Sequence, residues 1–484
     1  MSETQPNILL IVVDQWRSDT LGCAGHPCVR TPHLDRLAAD GVRFTNAYSA
    51  TPTCVAARAS LLTGLSQERH GIVGYTESVD WRYETTLAGT LADAGYHTQC
   101  VGKMHVKPYR NLMGFHNVVL HDGYLHTVQA RTDDYTLYDD YLPDLRRRLG
   151  RPEADFLDSG IGCNGYAVAP WPYDESLHPT TWVTDQAVDF LHRRRDPSRP
   201  FFLKVSYHRP HPPLDPPASF LDEYRAIDPP EPVCGDWAQD RELPHGTSVE
   251  SPVPHDPAQI RLARQAYYAQ CTHIDTQINR LTHALIRRGA EANTAIVFVS
   301  DHGEMLYDHH QISKAMPFEA SAGIPCIVRP PRRWDRAVER GSECDEVVEL
   351  RDVLATCCDF AGIDRPDTDG LSMLGAADGR ETRPWLHGEH LQGERSNQWL
   401  TDGREKYIWW SQTGEESFFD LTEDPQELHE IAADNPERVT TWRERMVDVL
   451  RDREEGFVDD DQLVAGRPQT AALAHAGTDG GRTS

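Results

Sequence analysis

Residues 7–13, Asn-Ile-Leu-Leu-Ile-Val-Val, form an unbroken apolar run rich in β-branched side chains, the pattern of a strand buried on both faces. Residues 294–300 repeat it, and 97–102, 201–206 and 324–328 do so more weakly. Helical stretches lie between these runs, at 33–40, 87–94, 181–194 and, longest, 257–288. Strands alternating with helices predict an α/β sandwich built on a largely parallel sheet. From about residue 380 the texture changes. Short aromatic segments at 385–389, 397–401, 407–411 and 417–421, separated by charged turns, predict a small antiparallel sheet, and 436–455 a helix after it. The chain therefore reads as a large α/β domain over 1–379, a small α+β subdomain over 380–458, and a tail, 459–484, rich in Gly, Ala and Thr and expected to be disordered. Residues 209–256 hold many prolines and little periodicity, and read as a long ordered loop of the kind that shapes a site.

Composition narrows this picture. A formal charge of −27 argues against nucleic acid or an anionic membrane as partner. No run approaches the ~20 apolar residues of a membrane span, and the N-terminus has no basic and apolar leader, so a cytoplasmic location is expected. The 11 cysteines are scattered and odd in number, as in a chain of reduced thiols; Cys23 and Cys28 lack a second Cys/His pair to complete a zinc site. Lysine is scarce: only Lys103, Lys107, Lys204, Lys314 and Lys406 occur, so arginine supplies nearly all the positive charge. An anionic substrate would be repelled at long range, so a site for one must be locally basic.

Ligands of parallel sheets bind beyond the carboxyl ends of the strands. Here those ends are ionisable: Asp14-Gln15, then Gly102-Lys103-Met104-His105, Tyr207-His208-Arg209-Pro210-His211, and Asp301-His302-Gly303-Glu304 with Lys314 following. Asp14, Gln15, Asp301 and His302 supply two carboxylates, an amide oxygen and an imidazole, a set suited to a divalent cation with open positions. In the segment 51–64, Thr-Pro-Thr-Cys-Val-Ala-Ala-Arg-Ala-Ser-Leu-Leu-Thr-Gly, Cys54 falls on the first turn of a helix, where free backbone N–H groups and the helix dipole favour negative charge. Arg58 lies one turn on, on the same face.

That segment resembles the sulfatase signature Cys-x-Pro-x-Arg followed by Leu-Thr-Gly. Asp14-Gln15, Gly-Lys-Met-His, His-Arg-Pro-His, Ser-Asp-His-Gly-Glu and Lys314 occur in the sulfatase order, as do Thr31-Pro-His-Leu-Asp-Arg-Leu and the C-terminal Lys406-Tyr-Ile, Phe419-Asp-Leu and Asp424-Pro-Gln-Glu. Over roughly residues 6–435 the chain is similar to the formylglycine-dependent sulfatases of the alkaline phosphatase superfamily, in their bacterial arylsulfatase-like branch. The resemblance implies an α/β/α sandwich with a small C-terminal antiparallel sheet. It implies hydrolysis of sulfate monoesters by the hydrate of a formylglycine made from Cys54, and a divalent cation held by Asp14, Gln15, residue 54, Asp301 and His302. Calcium is the expected cation and manganese or magnesium the alternatives; the nitrogen ligand and the single amide tilt the set towards manganese. Arg58 and Lys103 would stabilise the hydrate, His105 would take its proton and break down the sulfoenzyme, and His208 and Lys314 would bind sulfuryl oxygens and assist the leaving group.

Three departures keep alternatives open. Ala56 stands where the family usually has proline, which bears on recognition by the formylglycine-generating maturation enzyme expected as a partner. Gln15 and His302 replace a second aspartate and an asparagine, and both resemble the related phosphonate monoester hydrolases and phosphodiesterases. A third reading is a binding relative whose Cys54 is never matured. Among residues 106–180, His121, Tyr124, His126, Trp171, Tyr173 and His178 could grip a sugar or aryl ring or pack a loop. A homo-oligomer is compatible with the sequence.

Overall fold

Strand β1 (Asn7–Asp14) is buried at all eight positions and forms the middle of the molecule. The computed structural model describes residues 5–123, 138–244, 246–248, 251–334 and 338–478; Tyr124 and His126 lie outside them. In chain order the main sheet continues with β2 (Val42–Phe44), β3 (His97–Gly102), β4 (Asn117–Leu120), β5 (Phe201–Pro210), β6 (Thr294–Ser300), β7 (Cys326–Arg329) and β8 (Ser342–Cys344). Their spatial order is β8-β2-β7-β6-β1-β5-β3-β4. Within it β1 pairs in parallel with β5 and β6, and β3 with β4 and β5. The run at 324–328 becomes β7, which pairs antiparallel with both of its neighbours.

The helices are α1 (Pro32–Ala39), α2 (Cys54–Thr63), α3 (Leu87–Asp93), α4 (Pro179–Asp189), α5 (Pro257–Arg287), α6 (Asp352–Ala361) and, in the C-terminal part, α7 (Pro436–Leu450). Alternate side chains of β1 enter opposite cores. Leu9, Ile11 and Val13 pack with residues of α1, α4 and α5, while Ile8, Leu10 and Val12 pack with residues of α2, α3 and α6. This is the two-sided burial that a continuous apolar strand demands. Each such side chain is worth about 1.5–3 kcal/mol on leaving water. The expected sandwich is present, with its strand ends directed to one edge.

The four aromatic segments form an antiparallel sheet of β9 (Leu386–His390), β10 (Asn397–Thr401), β11 (Glu405–Trp410) and β12 (Glu416–Asp420) in sequence order, with α7 packed on β10 and β11. Two expectations are corrected. The 209–256 loop carries a helix, Ala218–Arg225, and a short hairpin. Residues 459–478 are not disordered: after a two-stranded hairpin the chain runs back along residues 70–83. There Ala471 O accepts from Val73 N at 3.0 Å, Gly71 O from Leu473 N at 2.8 Å and Gly477 O from Arg82 N at 2.6 Å. Its Gly, Ala and Thr content hides this order because the pairing is through backbone and needs no side-chain period.

Candidate active site

Cys54 opens α2, a helix buried at all ten positions. Thr53 in front of it gives no side-chain cap, so the first-turn N–H groups stay available to a group built on residue 54. Cys54 Sγ lies 3.2 Å from His302 Nε2 and 3.7 Å from Asp14 Oδ1. Asp14 is the last residue of β1 and Asp301-His302 follow β6, its neighbour. Strand adjacency therefore brings together residues 287 positions apart. The donor atoms of Asp14, Cys54, Asp301 and His302 lie within 4.8 Å of one another, and all four residues are buried.

The quartet fits a divalent cation. Two carboxylates, a sulfur and an imidazole at that mutual spacing match the reach of one ion. His302 Nδ1 donates to Gly303 O at 2.9 Å, which leaves the Nε2 lone pair facing the cluster, the tautomer a metal-bound histidine needs. Burial disfavours an imidazolium at His302, yet Asp301 and Cys54 outweigh it and raise its pKa; the position attracts a cation or a proton. Burial, then Asp14, raises Asp301. Asp14 stays ionised: burial pushes its carboxyl up, but Lys103, His211 and Arg58 together hold it well below the usual range.

Beneath the quartet lies a basic floor. Arg58 donates through Nε to Asp301 Oδ2 at 2.9 Å, and its Nη2 stands 3.5 Å from Asp14 Oδ2. Its Nη1 donates to Ser206 Oγ and Lys103 O, both at 3.0 Å. Lys103 Nζ donates to Asp14 Oδ2. The turn that aims Lys103 requires glycine before it, because Gly102 has φ +94° and an added Cβ would sit 1.9 Å from Ser206 O. Burial and Asp14 push the Cys54 thiol up, but Lys103, Lys314 and His302 hold it well below the usual thiol range. Three cations, Arg58, Lys103 and Lys314, thus surround two carboxylates. Fixed cations crowd residue 54 within a chain of net charge −27.

The remaining expected residues form the walls. Lys314 Nζ donates to Gln15 Oε1 at 2.7 Å and to His211 Nε2 at 2.7 Å; His211 Nδ1 donates to Pro212 O, also at 2.7 Å, so its Nε2 is an acceptor. Burial, then Lys314, keeps His211 neutral at ordinary pH. His208 is likewise depressed, by burial, Lys103 and His211, and its Nδ1 accepts from Arg209 Nη1 at 2.6 Å. Gly123 passes so close that a Cβ there would lie 2.2 Å from the His208 ring. His105 has φ +58° and its Nε2 lies 3.2 Å from Glu77 Oε1, while Nδ1 is buried without a hydrogen-bond partner. Burial lowers its pKa, but Cys54 and Glu77 outweigh that and raise it.

The residues expected to act in catalysis or to hold a metal, Asp14, Gln15, Cys54, Arg58, Lys103, His105, His208, Asp301, His302 and Lys314, therefore lie at this one edge. Gln15 sits differently from Asp14: its amide oxygen meets Lys314 and its nitrogen meets Glu304. Four residues were missed as participants: His211, Glu77, Tyr166 and Glu304. His211 was in view in the His-Arg-Pro-His segment. Glu304 was visible as the end of Ser-Asp-His-Gly-Glu, whereas Glu77 and Tyr166 sit in aperiodic loops with no signal. Four of the five lysines serve this region, since Lys204 Nζ also donates to Lys103 O at 2.8 Å and Lys107 Nζ to Glu77 O at 2.7 Å.

Comparison with known proteins agrees with this geometry. The model of the Sulfatase family matches residues 6–363. The chain is 45% identical to a Clostridium perfringens protein named arylsulfatase, over 97% of this chain and 99% of that one. It is 30% identical to a Rhizobium meliloti choline-sulfatase, over 90% of this chain and 84% of that one. Among solved structures, a phosphonate monoester hydrolase of Agrobacterium radiobacter superposes with a TM-score of 0.75 at 25% identity, covering 96% of this chain and all of that one.

Proposed function

The chain belongs to the sulfatase family of hydrolases, and from that premise we propose that it cleaves sulfate monoesters with residue 54, matured from cysteine to formylglycine, as its nucleophile. The observation that carries the reading is the position of Cys54: at a buried helix start, against the Asp14–Asp301–His302 set, with three cations around it. The aldehyde hydrate at 54 would supply an oxygen nucleophile, and Asp14, Gln15, residue 54, Asp301 and His302 would hold a divalent cation that polarises the ester and neutralises its charge.

The chain's own residues do the rest. Arg58 and Lys103 keep Asp14 ionised, and Arg58 pins Asp301 in place, in a dry site where unpaired carboxylates would be costly. His105, backed by Glu77, holds a proton beside residue 54, and its unpartnered Nδ1 is free to exchange one with a group there. Neutral His208 offers hydrogen bonds without adding charge. Lys314, held between the neutral His211 and Gln15, presents an ammonium to the sulfuryl oxygens or the leaving oxygen, where fixed cations stabilise developing charge.

A second reading has a specific observation behind it. The phosphonate monoester hydrolase neighbour superposes over nearly the whole chain, and an amide–imidazole pair stands at 15 and 302. The test is kcat/KM for an aryl sulfate and the matching aryl phosphonate monoester, on protein co-expressed with a formylglycine-generating enzyme. We expect a strong preference for the sulfate; a preference for the phosphonate overturns the assignment. Elemental analysis of the same protein separates calcium from manganese.

A further inference from the structure

Glu304 is fully buried, and the reading of its surroundings rests on the metal site proposed above. Its Oε1 accepts from Leu306 N at 2.8 Å and Ser313 N at 2.6 Å. Its Oε2 accepts from Tyr166 OH at 2.7 Å and from Gln15 Nε2. Four donors fill the two carboxylate oxygens. Gln15 is pinned from every other side as well. Its φ is +69°, its N–H donates to Asp301 Oδ1 at 3.1 Å and its carbonyl accepts from Tyr267 OH at 2.7 Å.

We propose that Glu304 is a positioning residue that fixes the direction of the Gln15 amide, turning its oxygen towards the metal quartet and Lys314. The donor–acceptor logic admits one orientation. Rotated by half a turn, Gln15 Oε1 would face the Glu304 carboxylate, acceptor against acceptor. Its Nε2 would then face the Lys314 ammonium, donor against donor. Lys314 cannot adapt easily, because the same Nζ also donates to His211. The carboxylate at 304 thus makes residue 15 an oxygen donor on the cation side.

The same contact accounts for an amide at position 15. A carboxyl group there would meet Glu304 oxygen to oxygen, without the N–H that the amide supplies. Gln15 and Glu304 form a matched pair, amide over carboxylate. The pair sets the site at two carboxylates near the cation rather than three, leaving it more attractive to an anionic ester. Exchanging the pair, Gln15→Glu with Glu304→Gln, keeps a hydrogen bond between the two positions with donor and acceptor reversed. It also moves one negative charge into the site.

The test is a double-mutant cycle on metal-stripped protein, titrated calorimetrically with MnCl2 and with CaCl2. Thermal denaturation of each stripped protein is recorded beside it. Glu304→Gln alone should weaken metal binding about 10–100-fold, the range for outer residues that orient a metal ligand, because the amide is then free to turn. Gln15→Glu alone should lower the melting temperature of stripped protein, since two carboxylates are forced together. The double variant should recover metal affinity to the wild-type level or beyond, which a merely structural role for Glu304 would not produce. Glu304→Gln with unchanged metal affinity, or a double variant no better than the worse single one, overturns the pairing. Wild-type protein that binds neither metal would overturn the metal site itself, a result distinguishable from failure of the pair.

Discussion

Two of the five lysines are fully buried against carboxylates, and only one of them builds a reactive site. Lys406, on β11, donates to Glu319 Oε1 at 2.7 Å and Glu427 Oε1 at 2.9 Å. It lies 5.9 Å from the centre of the Tyr48 ring and 5.7 Å from that of Trp399. Glu427 Oε2 is itself satisfied, by Glu319 N at 2.7 Å. In that cluster the ammonium and the two carboxylates are taken up by one another and by backbone. Lys103 also grips a buried carboxylate, but beyond Asp14 stand a thiol sulfur, an imidazole lone pair and a second carboxylate that converge on one another. The contrast teaches that buried charge alone does not mark function. Donor atoms left facing a common point, above a floor of cations, do.

Exchange of each lysine for an isosteric apolar residue should split the two clusters. Lys103→Met should lower kcat about 10²–10³-fold, the cost of removing one fixed charge from a reaction centre, with a smaller effect on unfolding. Lys406→Met should do the reverse. It leaves the buried Glu427 carboxylate and the partly exposed Glu319 without their cation, a loss of about 3 kcal/mol of stability, while kcat per folded molecule stays at the wild-type value. Urea unfolding beside turnover assays on both variants reads the difference, and equal effects on both quantities would erase the distinction.

Chelation sharpens it further. Removing a divalent cation should abolish turnover and lower the melting temperature, since metal held only by the folded chain adds about 3 kcal/mol at a hundredfold excess over Kd. The Lys406→Met protein should lose as much on chelation as wild type. In a variant lacking the quartet, such as Asp14→Asn with Asp301→Asn, chelation should change nothing.

The smallest effect is a pH dependence belonging to the Lys406 cluster. Burial raises the Glu427 carboxyl to about 7 from 4.5, despite Lys406 beside it. The folded chain therefore binds a proton more tightly than the unfolded one between those values, and stability should fall as pH rises from about 4.5 to about 7. Glu427→Gln should flatten part of that slope in urea unfolding across the window. Asp275, raised to about 7 by burial, contributes a slope of the same sign that remains.

Much of the site was legible because parallel strands place their ends together. A reader who finds β1, β3, β5 and β6 by hydrophobic run has already found Asp14, Lys103, His208 and Asp301 at one edge. Cys54 and Arg58 were legible as one turn of a helix. Hidden were the partners that orient these groups. Tyr166 meets Glu304 across 138 positions and Gln15 meets it across 289, contacts set by tertiary packing and written in no local period. Glu77 reaches His105 from a loop that the returning chain at 471–477 holds in place through backbone pairing. For that reason the order of 459–478 was also missed.

The most direct test of the account is the mass of the tryptic peptide 44–58 from protein purified in active form, with turnover measured on the same sample. The account requires formylglycine at position 54, in a fraction that rises and falls with specific activity across preparations. Full activity in protein whose residue 54 is entirely cysteine would contradict it.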